Sequence, residues 1–292
     1  MKPHNPLYYH WKGKLLHSGI HILSHMRLLI RWTFFSVFTG SIMGLIGVAF
    51  VYCIQSVTTL RTNFVWMPLT LPLGGLLIVW LYRISHDQND KGTNMVLASL
   101  RSEAELPVQM APMIFISTII THLCGGSAGR EGAALQLGGS VGNLLGRLFR
   151  LNERDIRVMI LCGMSAAFSA IFRTPIAAAV FAMEVGCVGA MQYAALVPCT
   201  ISSLTASYLA SKLGIPLAHF SVTQVPGLHP LPALKILLLG ILCAAVSILF
   251  CILLHQCEKW LKQKFPNPYL RILAASGILL LLLLLLRSRD YL

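Results

Sequence analysis

The chain has 292 residues, 56% of them hydrophobic and 11% charged, with a formal net charge of +13 and a mean hydropathy of +0.72. Soluble domains carry about a quarter charged residues, so a soluble globular protein is excluded and an all-α, multi-pass membrane protein is expected. The basic residues stand at the ends of apolar runs (Lys2, Lys12, Lys14, Arg27 and Arg31; Arg147, Arg150, Arg154 and Arg157; Lys259, Lys262 and Lys264). That distribution fits cytoplasmic segments facing anionic lipid, with a cytoplasmic N-terminus, and does not form a nucleic-acid surface.

In chain order, residues 12–30 place Leu15, Leu16, Ile22, Leu23, Met26, Leu29 and Ile30 opposite His17, His21, Ser24 and His25. This predicts an amphipathic helix at the cytoplasmic interface over residues 1–30. The three histidines are read as a polar face, because no carboxylate or cysteine joins them as a metal ligand. No short apolar core with a small-residue cleavage site marks a signal peptide. The first span, about 31–58, carries Gly40, Gly44 and Gly47 for close helix packing. A second follows Pro68 and Pro72 and ends near Arg83. The polar turn 85–95 leads into a stretch to Glu105 that is too short and too polar to cross a bilayer, so a re-entrant half-helix is expected there.

A third apolar run, 109–123, enters the segment from Gly125 to Gly139, where Arg130 and Glu131 stand among glycines. A charge at membrane depth costs roughly 2.5–3.5 kcal/mol on insertion scales, which makes an ionisable residue there a functional candidate. Glycines let a ligand approach the backbone closely. Helix-forming residues resume at Ala133, so free amides are expected at a helix start, a setting that attracts an anion. Beyond it, the run 156–189 is interrupted by Arg173 and Pro175, which predicts two helices with a sharp junction. Glu184 is read as a buried carboxylate satisfying loop amides rather than as a proton relay. Further spans are expected at 191–211, 233–257 and 268–286. The eight cysteines form no C-x-x-C pair and read as small buried hydrophobes. Neither metal nor cofactor is implied. No enzyme is expected either: His122 near Ser127 lacks a carboxylate partner, and His219, His229 and His255 are dispersed. The bland reading of Glu131 is an ion pair with Arg130 or Arg173 that pins helices together.

Gly129-Arg130-Glu131-Gly132 followed by Leu135-Gln136-Leu137-Gly138-Gly139 resembles the GREGP motif of the CLC chloride channels and antiporters. The run Gly163–Ala170, with Thr174-Pro175-Ile176-Ala177, Phe181 and Glu184, is similar to the family's next helix pair. Gly92-Thr93-Asn94-Met95-Val96 in place of GSGIP, and Ala133 in place of the motif's proline, look most like the fluoride-exporting branch.

The resemblance implies a fluoride/proton antiporter of the inner cell membrane, with chloride channel or chloride/proton antiport as the alternative. Glu131 would be the gating carboxylate, blocking the anion path when charged and leaving it when protonated. The backbone at Gly129, Arg130, Gly132 and Ala133 would face the anion, and one of Thr93, Asn94 and Met95 would approach it from the other half-helix. The implied partners are fluoride or chloride, protons, membrane lipid and a second copy as homodimer. The implied fold is the family's inverted repeat, with the first repeat at 31–230 and an incomplete start of the second at 231–292. So read, the chain stops inside the second repeat and is expected to carry little ion by itself. A non-transporting scaffold is the competing function. Val185 stands where many proton-coupled members carry a second glutamate, which leaves the inner proton route unassigned.

Overall fold

The computed structural model describes residues 6–85, 92–101, 106–186, 191–216, 227 and 229–286, with side chains described outside 6–25 and 286. Among the described residues ten α-helices follow one another: α1 Pro6–Asn63, α2 Leu71–Ile84, α3 Thr93–Arg101, α4 Met110–Leu123, α5 Arg130–Leu148, α6 Glu153–Phe172, α7 Pro175–Val185, α8 Leu196–Lys212, α9 Pro230–Lys264 and α10 Pro268–Leu286. Among the described residues there is no strand, and the all-α expectation holds. Six of the described segments are long and apolar enough to cross a bilayer: Met26–Asn63, Met67–Ile84, Glu153–Phe172, Tyr193–Lys212, Pro230–Lys264 and Pro268–Leu285. Two shorter apolar helices, Met110–Leu123 and Pro175–Val185, fall below that length. Helix α1 runs through residue 30 without a break, so no change of structure marks the boundary expected there. The faces of His17, His21 and His25, and most of the turn at 85–95, lie outside the described residues.

The chain divides into two compact units, the first comprising Met1–Cys53, Asn89–Ile116 and Gly129–Leu217. Its centre is the α5–α6 hairpin. Asn152 caps α6, its side chain accepting from the Asp155 N–H at 2.8 Å, and Glu153 and Asp155 supply negative charge to the first turn. Gly138 and Gly142 of α5 lie against the backbone of Gly163 and Met159 in α6, so closely that a Cβ on either would overlap a carbonyl. In lipid, where apolar contact alone drives little association, such backbone approach is what holds two helices together.

Helix α8 runs parallel to α6 and is tied to it by donors one turn apart. Ser165 Oγ donates to the Cys199 carbonyl at 3.2 Å, and Ser169 Oγ to the Ser203 carbonyl at 2.7 Å. Arg173 Nη1 donates to the Ser207 carbonyl, and Ser202 Oγ answers from α8 to the Cys162 carbonyl at 2.9 Å. A Cβ on Gly40 of α1 would stand 2.5 Å from the Ser202 carbonyl oxygen, which seats α1 directly on α8. The expected break between α6 and α7 is present: Arg173 adopts a left-handed conformation, φ 60° and ψ 31°, and α7 starts at Pro175.

The second unit comprises Ile54–Gln88, Ser117–Ala128 and Ala218–Leu292. Within it α2 packs on α10, Gly75 admitting Ile272 to 2.5 Å from where its Cβ would be. Arg83 lies over the Tyr269 ring at 6.0 Å. Gly125, at φ +78°, turns the chain after α4 beside Pro68, a conformation that glycine adopts without strain. Helix α9 has no buried residue among those described.

Candidate functional site

Helix α5 begins at Arg130, three residues earlier than the sequence pattern suggested, because the extended N-cap Gly129 (φ −71°, ψ 149°) ends the glycine-rich loop. The N-cap has no side chain, so no hydroxyl or carboxylate from that position occupies the helix start. By helix geometry the N–H groups of Gly129, Arg130, Glu131 and Gly132 precede the first intrahelical bond, whereas that of Ala133 closes the first turn. Glu131 occupies the second helical position and is exposed. Its Oε2 lies 2.7 Å from where a Cβ on Gly129 would stand. The carboxylate thus folds back over its own helix start, a position that only a residue without a side chain at 129 permits. Negative charge there is favoured by the helix dipole. No ion pair links Glu131 to Arg130 or Arg173 among the described residues.

The start of α3 comes up beside it. A Cβ built on Gly132 would stand 3.1 Å from Thr93 Oγ1, so the threonine hydroxyl lies against the first turn of α5. The three candidates of the second half-helix separate by environment. Thr93 is half-buried against α5, Asn94 is exposed, and Met95 packs on the core formed by Val96, Leu100, Leu135 and Ile160. Gly92 enters α3 at φ +58°, and its carbonyl accepts from the Met95 N–H at 3.0 Å.

The link between the two starts is the first member of a polar stripe on α5 to which the sequence pattern assigns no role. Gln136, Ser140 and Asn143 are each buried and stand at successive turns on one face of α5. Gln136 Nε2 donates to Thr93 Oγ1 at 3.2 Å, Ser140 Oγ to the Pro107 carbonyl at 3.0 Å, and Asn143 Nδ2 to the Leu106 carbonyl at 2.9 Å. The non-helical residues 106–109 would otherwise leave carbonyls unpaired in an apolar surround, which is tolerated only where protein satisfies them. Spacing at i, i+4 and i+7 in a glycine-rich helix was the available signal. It also explains why α5, with 19 residues, is too polar to rank among the spans.

Glu184 departs from expectation. It is exposed near the end of α7 rather than buried among loop amides, because α7 turns that position away from the face carrying Ala178, Ala179, Ala182 and Met183. Arg101, at the end of α3, donates from Nε to the Gly186 carbonyl at 2.6 Å and so caps the far end of the same helix. Among the described residues no group of three metal-ligating side chains is assembled.

Residues 74–291 match the family described as Voltage gated chloride channel, three quarters of the chain. The chain belongs to that family. Its members are ion channels and transporters rather than enzymes, and the all-helical architecture agrees. A chloride/fluoride channel protein of Pseudomonas syringae pv. tomato is 28% identical over 264 residues, which is 90% of this chain and 58% of that protein. The H(+)/Cl(−) exchange transporter ClcA of Citrobacter koseri is 31% identical over 163 residues, 50% of this chain and 34% of that one. The crystal structure of a CLC-type fluoride/proton antiporter superposes with a TM-score of 0.85 at 33% identity, covering 90% of this chain and 67% of that one. A slow cyanobacterial Cl−/H+ antiporter shares the fold, with a TM-score of 0.71 at 20% identity. The chain therefore spans little more than half the length of the first of these curated relatives.

Proposed function

We propose that the starts of α3 and α5 form part of a halide pathway, fluoride before chloride, in which Glu131 couples anion movement to protons. The observation that carries this reading is the carboxylate folded over a helix start whose N-cap offers no side chain of its own. A carboxylate and a halide compete for the same positive helix end. When charged, Glu131 holds the position; when protonated, it releases the amides to an anion. Thr93, lying against that same turn, supplies a second donor. Preference for fluoride is supported by the fluoride/proton antiporter that this chain resembles over 90% of its length. The inner cell membrane and a homodimer belong to the same proposal, as does the division at residues 30 and 230.

Two measurements test it separately. Halide binding to the detergent-solubilised polypeptide, followed by isothermal titration with fluoride and then chloride, needs only the helix starts described above. Efflux from liposomes loaded with either halide, with proton uptake recorded alongside, needs a complete path. Fluoride binding that strengthens in Glu131→Gln is the expected pattern, with efflux, and its loss of proton dependence in that variant, expected only where the path is complete. Binding without efflux would retain the anion site and overturn transport by this polypeptide. Neither binding nor efflux would leave the scaffold reading in its place.

A further inference from the structure

Gln136 is 7% exposed, and only one end of its amide has a partner. Nε2 donates to Thr93 Oγ1 at 3.2 Å, while Oε1 is buried with no hydrogen-bond partner. Leaving an acceptor so placed costs free energy that the opposite orientation of the amide could redistribute. The two orientations differ in what they do to Thr93. With Nε2 toward it, the threonine oxygen receives a hydrogen bond and its own O–H must point elsewhere. With Oε1 toward it, the O–H would be consumed by the amide and a lone pair would face outward. The hydroxyl lies 3.1 Å from the Cβ position of Gly132, one of the residues whose N–H precedes the first turn of α5. An outward O–H at that place adds a donor to the amides; an outward lone pair would repel an anion.

We propose that Gln136 is a positioning residue for anion recognition, its amide N–H turning the Thr93 hydroxyl into a donor toward the start of α5. The inference rests on the halide reading above and deepens it by naming what sets the polarity of the second half-helix. Gln136 touches no ion itself and acts through Thr93. Its unpaired Oε1 is the cost of that arrangement.

The experiment is a double-mutant cycle on fluoride binding to the solubilised full chain, with thermal stability recorded in parallel. Gln136→Met removes the amide at similar volume and Thr93→Val removes the hydroxyl. Each is expected to weaken fluoride about tenfold, the order for one lost hydrogen bond to a charged group. Thr93→Ser, which keeps the hydroxyl, is expected to bind as the parent does. Combining Gln136→Met with Thr93→Val should add nothing beyond either alone. Should Gln136→Met fail to fold, Gln136→Asn provides the second variant, because its amide is one methylene too short to reach Thr93, and the same loss is expected. Independent, multiplying losses, or unchanged binding in a folded Gln136 variant, would overturn the positioning role while leaving the halide reading intact. Absence of fluoride binding in the parent chain would overturn both.

Discussion

Gly138→Ala places one methyl group where α5 and α6 approach most closely. Its Cβ would stand 2.7 Å from the Gly163 carbonyl carbon and 2.8 Å from Met164 Cα, with the carbonyl oxygen nearer still. All three atoms are backbone, so no rotamer change relieves the overlap and the helices themselves must part. Overpacking of this kind costs about 1–3 kcal/mol. Against it stands the intrinsic gain of alanine over glycine in a helix, about 0.8–1.0 kcal/mol. The difference leaves a net loss approaching 2 kcal/mol at the upper end. Gly240→Ala is the control, since a Cβ there meets nothing within 4 Å and only the propensity gain applies. Thermal unfolding in detergent, followed by size-exclusion fluorescence, should therefore lower the midpoint for Gly138→Ala and hold or raise it for Gly240→Ala. Equal midpoints for the two variants would refute the claim that backbone contact holds the hairpin.

Other consequences can be checked in the same system. Arg173→Ala loses the bond to Ser207 and retains the strain of a Cβ in a left-handed conformation, whereas Arg173→Gly loses the same bond but relieves that strain; the glycine variant should be the more stable by roughly 1 kcal/mol. Asn152→Ala removes the cap of α6 and should cost about 1 kcal/mol in thermal or denaturant unfolding, an effect absent from Asn152→Asp. Asn143→Leu strips the donor from the Leu106 carbonyl and should cost about 1–3 kcal/mol, with faster amide exchange across residues 106–110 than elsewhere. Protection there unchanged from the parent would mean that the polar stripe does not hold the α3–α4 connection.

Much of this architecture was legible in one dimension because the signals were local. Pro175 had to end α6 or begin α7, and it begins α7. Gly40 announced close packing, and it faces the backbone of α8, as Gly138 and Gly142 face that of α6. The start of α5 lies three residues before Ala133 because Arg130 and Glu131, loop-like among glycines in sequence, are sound helix formers once an N-cap precedes them. Glu184 was misjudged for a different reason: an apolar neighbourhood in sequence says nothing about which side of a helix faces a partner. The role of Gln136 was out of reach, since its partner lies 43 positions away and only folding brings them together. Arg173 likewise reveals its function only when α8 supplies the Ser207 carbonyl.

The ties from α6 to α8 recur with an identical offset of 34 residues. Such a repeat is nearly indifferent to sliding. Shifted by one turn, about 5.4 Å, Ser165 and Ser169 would find fresh carbonyls at Ser203 and Ser207. Gly40 against the Ser202 oxygen of α8 and Gly47 against Ala170 of α6 seat α1 on both helices and supply the missing tooth. The long first helix therefore works as a ratchet pawl, choosing one among several equivalent alignments that the other two helices would accept alone.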